Sequence, residues 1–194
     1  MEKNTAFDLL FETGLRHLYK AENEVFEALA SMAKNAKSSL LNLMLLHHRD
    51  ETHTQIERLK TVFALLDINI HSTKLRGMQD LTAQGKELFK TLLDFNFTDR
   101  SRGMDGIVTE GKELIRHFKD TEAADFALIS AGNKVENFEI GCYLPLCTLA
   151  EKFGEQEILH LLSASLKEEQ AMEEKLRLFG EKEVVLTRAV SGGF

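Results

Sequence analysis

Glu22, Glu51, Glu136, Glu139 and Glu169 fall on the apolar seams of four predicted helices, each near the middle of its helix. A carboxylate among leucines is costly unless a proton, a cation or a metal compensates it. Several at one height on four helices point to metal chemistry. A carboxylate-rich, histidine-poor set suits iron or manganese better than zinc or copper. Two divalent ions bring four positive charges to these five carboxylates. Bridging glutamates can hold such a pair close enough to share dioxygen or peroxide. Glu173 flanks Glu169 and is a lesser candidate. His48 reads as a ligand, as a partner that orients one, or as a satisfied core histidine. Taken singly, a seam glutamate more often snorkels to solvent or pairs with Lys or Arg. The coincidence across four helices carries the metal reading. The sequence assigns no catalytic residue.

The elements that must position these groups follow from three- and four-residue apolar spacing. The first predicted helix runs from about Thr5 to Lys37, with Phe11, Leu15, Leu18, Val25, Phe26 and Leu29 on its seam. Ser38 or Ser39 can cap the second, which runs to about Leu66 with Leu41, Met44, Leu45, Leu59 and Val62 on one face. At about 100° per residue, His48 and Gln55 project near the centre of that face, with Glu51 to one side. The third runs from near Thr121 to Phe153 and stops at Gly154, with Pro145 inside it expected to kink its last turns. On it Glu139 is central and Glu136 flanks it. The fourth runs from about Glu155 to Phe179 and is expected to stop at Gly180, with Glu169 central and Glu168 off to the side. Short turns join the helices within each pair, and one long connection, about residues 67–120, joins the pairs. That is the topology of an all-α, ferritin-like antiparallel four-helix bundle spanning residues 1–180.

The long connection contains a repeat. Arg76-Gly77-Met78 and Gly85-Lys86-Glu87-Leu88 recur as Arg102-Gly103-Met104 and Gly111-Lys112-Glu113-Leu114. Each copy reads as a short amphipathic helix. The pair is either a local duplication that lengthens the crossover or an arm for a partner. Residues 181–194 form a tail with a β-prone run, Val184-Val185-Leu186, and no assigned function.

Composition narrows the function classes. The chain has 194 residues, one proline, no tryptophan, a net charge of −7 and a pI near 5.5. No long basic run exists, so nucleic-acid binding has little electrostatic support. No stretch approaches the ~20 apolar residues of a membrane span. Cys142 and Cys147 match no zinc or redox spacing and read as reduced core thiols. With acids in the first residues, where a signal peptide needs an apolar run, this gives a cytoplasmic expectation.

At these residues the chain resembles the YciE/YciF bacterial stress-protein family. The resemblance rests on Leu18-Tyr19-Lys20-Ala21-Glu22, on His48-Arg49-Asp50-Glu51-Thr52 with Gln55 and Arg58, and on Gly103 through Gly111. It also rests on Val135-Glu136-Asn137-Phe138-Glu139-Ile140 with Tyr143, and on Leu166-Lys167-Glu168-Glu169. It implies a compact four-helix core, a homodimer and a di-iron site at Glu22, Glu51, Glu136, Glu139 and Glu169. Asn137 stands where relatives often carry histidine, and the crossover repeat is doubled. Thr54 and Met172 occupy the histidine positions of the wider Glu-x-x-His di-iron pattern. These departures bear on redox potential more than on metal binding.

Two functions compete. In the first, a di-metal protein reacts Fe(II) with dioxygen or peroxide in stress defence. Glu22 and Glu169 are then terminal ligands, Glu51 and Glu139 bridge, and Glu136 is a ligand or a movable gate. In the second, a non-enzymatic stress or interaction protein keeps a structural or vestigial site. Crowded carboxylates should carry raised pKa values without metal, and either acid sensitivity or a loss of stability on metal removal is expected.

Overall fold

The structure, a computed structural model, describes residues 5–71 and 102–190, with side chains described within 6–71 and 103–182. Five helices make up the described residues: α1 (Thr5–Asn35), α2 (Ser39–Leu65), α3 (Arg102–Phe118), α4 (Ala124–Phe153) and α5 (Gln156–Val190). α1 packs on α2, α4 on α5, α1 on α4 and α2 on α5, which closes a four-helix ring. α3 lies outside the ring against α4 and α1. The all-helical, ferritin-like expectation stands. The second copy of the repeat forms α3, whose Met104 is fully buried, while the first copy lies outside the described residues.

The short turns have identifiable locks. Ser38 caps α2, its side chain accepting from the Leu41 amide. The Asp125 carboxylate, in the first turn of α4, accepts from the amides of Lys37 and Ser38, both at 2.7 Å. One buried acid thus ties the α1–α2 turn to the start of the second hairpin. Gly154 ends α4 at φ +74°, a left-handed position that glycine adopts without a Cβ penalty.

Gly180 behaves differently from the expected stop. α5 continues through it to Val190, and the run 184–186 is helical rather than extended. Gly180 is buried against α4, where a Cβ would lie 3.1 Å from Ile129 Cγ2. Its missing side chain serves close helix packing, which sequence spacing does not distinguish from a C-terminal cap. Pro145 sits inside α4 on its exposed face. The backbone acceptor it leaves without a donor, on Gly141, therefore lies at the solvent side of the helix.

The apolar core comes in two parts. One gathers Val25, Leu29, Leu41, Leu45, Leu128, Met172 and Leu176. The other gathers Phe11, Leu15, Leu18, Leu59, Phe63, Leu146 and Leu162. Between them in sequence, on all four bundle helices, lies a buried polar set: Glu22, His48, Thr52, Gln55, Glu136, Glu139, Ser165 and Glu169. The hydrophobic clusters fix the four helices in register and hold this layer away from water.

Candidate metal centre

His48, Glu136, Glu139 and Glu169 each present one donor atom, and all four donors lie within 4.8 Å of one another. α2 supplies the imidazole, α4 two carboxylates one turn apart, and α5 the third. Each residue is 0–1% exposed. His48 Nε2 is 3.2 Å from Glu136 Oε2 and 3.7 Å from Glu169 Oε2. These are Coulombic approaches without hydrogen-bond geometry: His48 Nε2, Glu136 Oε2, Glu169 Oε2 and both Glu139 oxygens have no hydrogen-bond partner. Buried polar atoms are almost always satisfied. A cluster of orphaned donors that face each other is what a cation would complete, and three carboxylates with one imidazole fit iron or manganese.

Glu22 adjoins this group from α1. Its Oε1 accepts from the Tyr143 hydroxyl at 2.5 Å, and its Oε2 is buried without a partner. Burial pushes the Glu22 carboxyl up to about 8, against the pull of the Tyr143 hydrogen bond and the His48 charge. Burial, then the charges of Glu22, Glu169 and Glu136, hold Glu139 well above the usual carboxylate range. Burial and Glu136 do the same to Glu169. Desolvation opposes the charge on His48, but Glu136, Glu51 and Glu169 together outweigh it and hold the imidazole well above its ordinary value. Burial and mutual repulsion thus favour the protonated form of Glu22, Glu139 and Glu169, and the carboxylates around it favour the protonated form of His48.

Glu51 and Glu173 stand outside the four-donor set. Glu51 faces the other ring nitrogen: its Oε2 is 3.4 Å from His48 Nδ1. A carboxylate on the far nitrogen of a ligating histidine fixes the tautomer and ring orientation. The hydrogen bond with His48 draws the Glu51 pKa down. Glu173 is half-buried on the next turn of α5.

Gln55, Arg58, Glu168, Ser165 and Tyr143 form a supporting layer. From sequence, Tyr143 reads either as a hydrogen-bond partner near the site or as core packing, and the bond from its hydroxyl to Glu22 shows the former. The Gln55 amide donates to Glu169 Oε1 at 2.5 Å and to Glu168 Oε2 at 3.1 Å. Arg58 grips Glu168 through both oxygens, at 2.6 and 2.8 Å, and donates to Ser165 at 3.3 Å. Gln55 was legible as a central seam position. Tyr143 carried a signal too, since it lies one helical turn beyond Glu139 on the same seam.

Fold and site together define a ferritin-like helical bundle with a buried carboxylate–histidine cluster that can hold a metal ion. The chain matches the family model described as a domain of unknown function, DUF892, over residues 6–99 and again over 91–189. It belongs to this family and is YciF-like. It is 32% identical to protein YciF of Escherichia coli over 163 residues, covering 84% of this chain and 82% of the relative. The crystal structure of the E. coli stress protein YciF superposes with a TM-score of 0.75 at 29% identity, covering 95% of this chain and 98% of that one. YcfI of Rhodopseudomonas palustris matches with a TM-score of 0.68 at 30% identity, over 87% of this chain and 90% of that one. The two family matches overlap at 91–99, between the two copies of the repeated segment.

Proposed function

We propose that this protein is a di-metal carboxylate protein of the stress response, binding two Fe(II) or Mn(II) ions and handling dioxygen or peroxide. The observation that carries the reading is the set of orphaned buried donors on His48, Glu136, Glu139 and Glu169. Charge supports two ions rather than one: Glu22, Glu136, Glu139 and Glu169 together bring four negative charges when ionised. Bound Fe(II) ions supply electrons for reduction of dioxygen or peroxide. The chain's own residues hold and tune them. His48 and the three glutamates ligate, Glu22 joins them through its free Oε2, and Tyr143 keeps Glu22 Oε1 engaged. Glu51 orients His48, Gln55 anchors Glu169, and the two apolar clusters exclude water. Relatedness to a stress protein supports the stress assignment.

The test is anaerobic loading of chelator-treated protein with Fe(II), followed by elemental analysis and exposure to dioxygen or peroxide. Two ions per chain, oxidised at a rate lost in Glu139→Gln, is the expected result. A protein that binds no iron or manganese contradicts the proposal.

A structural site is the second reading, favoured by one observation: all four donors are 0–1% exposed. Closed coordination is typical of structural metals, whereas catalytic ones keep a position open. Under this reading the ions bind and stabilise, and Fe(II) is not turned over.

We also read the chain as a cytoplasmic homodimer. Leu40, Leu43 and Leu46 form an exposed row along the start of α2, 42–63% exposed, which supports a self-association face there. Sedimentation of Leu43→Glu against the unaltered chain tests it. No helix among the described residues is long and apolar enough to cross a membrane.

A further inference from the structure

The crossover repeat gives the chain two copies of one docking pattern, and the described residues show one seat for it. α3, which is the second copy, lies on α1 and α4. Met104 is fully buried in the core there. Gly103 meets Phe138 so closely that a Cβ would lie 2.5 Å from its ring, and Gly111 is buried with its Cβ position 3.2 Å from Ala131 Cβ. Ile107 and Ile115 pack on the same core. The first copy carries Gly77, Met78 and Gly85 at the three close-contact positions, and Leu81 and Phe89 at the two apolar ones. Thr82, of similar shape, stands for the half-buried Val108. The less similar residues Asp80, Ala83 and Gln84 stand where α3 exposes Gly106, Thr109 and Glu110.

The chain approaches this seat from a fixed point. Arg16 of α1 donates to the carbonyls of Asn69 and Ile70, at 3.1 Å each. One turn further along α1, Tyr19, Lys20 and Asn23 line a cleft with Asp105 and Val108 of α3. The segment leaving α2 is therefore held beside the first turns of α3. Arg76 follows Ile70 by six residues, which extend up to roughly 20 Å, whereas Arg102 follows it by thirty-two. The first copy has the shorter path to the seat. The family model also matches twice, over 6–99 with the first copy and over 91–189 with the second. The exposed differences between the copies are small and of opposite sign. The second has the Glu110–Lys134 ion pair where the first has Gln84, and exposed pairs contribute little. The second also has Gly106 on its open face where the first has Asp80, and glycine is the poorer helix former.

We infer that the α3 seat is a docking surface with two alternative occupants from the same chain. Residues 76–90 take the place of 102–116, make the glycine, methionine and glycine contacts in the same order, and release the second copy. The connection from α2 then becomes the short one, and the connection to α4, residues 91–123, the long one. The four-helix ring and its buried cluster keep their arrangement, because the exchange replaces only what lies outside the ring. A released second copy presents Met104, Ile107 and Ile115 to solvent, so the exchange decides which of two apolar faces the chain shows. The inference does not depend on the metal reading.

Cross-linking in the full chain tests the exchange. Ala131→Cys is combined with Gly111→Cys, with Gly85→Cys or with Asp80→Cys, each protein is oxidised in dilute solution, and the bridge is located by peptide mapping. A Cβ at Gly111 lies near enough to Ala131 for a bridge, and one at Gly106, the counterpart of Asp80, meets nothing within 4 Å. The Gly111→Cys and Gly85→Cys pairs should both bridge within one chain, and the Asp80→Cys pair should not. Adding Met104→Glu should speed the Gly85→Cys bridge roughly ten-fold or more, because a carboxylate is disfavoured at that buried position. Denaturant melts give a second readout. Met78→Glu and Met104→Glu should each shift the midpoint little, and the double variant should shift it by far more than their sum. Absence of the Gly85→Cys bridge in both backgrounds overturns the exchange. An Asp80→Cys bridge formed equally fast also overturns it, since that marks random collision of a tethered segment. A bridge formed only between chains overturns it in favour of a second copy of this chain as the source of the occupant. Met104→Glu as damaging alone as in the double variant leaves the second copy as sole occupant and overturns it too.

Discussion

His48 Nε2 lies 3.2 Å from Glu136 Oε2, and neither atom has a hydrogen bond. The two attract as charges, and both face the same buried cluster of donors. With Glu139 and Glu169 completing that cluster, His48 acts in the metal-free protein as the cluster's own counter-ion.

The pH dependence of the metal-free protein follows. Glu22 has a pKa of about 8 in the fold against an ordinary 4.5. Between those values the folded chain binds more protons than the unfolded chain, so stability falls as pH rises. His48 works in the same direction: its stabilising charge is complete below 6.5 and is lost as pH climbs through its raised folded value. Glu51, held low by His48, works the other way but is partly exposed. The melting temperature of chelator-treated protein should therefore fall between about pH 5 and about pH 9. Metal-loaded protein should lose its ions and its added stability on acidification, because protons compete for the carboxylates. Acid sensitivity is thus a property of the loaded form. A metal-free melting temperature that rises across this range would contradict the assignment.

Glu139→Leu should act with opposite signs in the two forms. Both Glu139 oxygens are buried without partners, so an apolar side chain there should stabilise the metal-free protein by about 1–4 kcal/mol. The same change removes a central donor and should abolish metal-dependent stabilisation. Denaturant melts with and without Mn(II) check both halves. Destabilisation of the metal-free form would show that Glu139 has a protein partner.

Tyr143→Phe keeps the ring and removes the hydroxyl that donates to Glu22 Oε1. The core should stay packed, while metal affinity falls about 10–100-fold through loss of carboxylate orientation. Competition against a chelating dye measures it. Unchanged affinity would separate Glu22 from the metal layer.

Asp125→Ala tests the fold rather than the site. Two backbone amides in the α1–α2 turn lose their acceptor. A cost of about 2 kcal/mol is expected in denaturant unfolding, with metal stoichiometry unchanged. A neutral result would mean that water replaces the carboxylate at both amides.

Much of this architecture was legible along the chain because helical periodicity is local. The seam positions of Glu22, His48, Gln55, Glu136, Glu139 and Glu169 follow from spacing within each helix, and all six are buried. Glu51, projected to one side of its seam, is the partly exposed one. Three- and four-residue spacing therefore set which side chains turn inward, and turn lengths set which helices are antiparallel neighbours. What lies across a seam is a long-range matter. Only the tertiary structure turned His48 Nε2 toward Glu136, placed Tyr143 on Glu22 from a helix more than a hundred residues away in sequence, and made Gly180 a contact with Ile129 instead of a helix end. Each of these depends on the side chain that a neighbouring helix presents at that height, and no window of one helix contains that information.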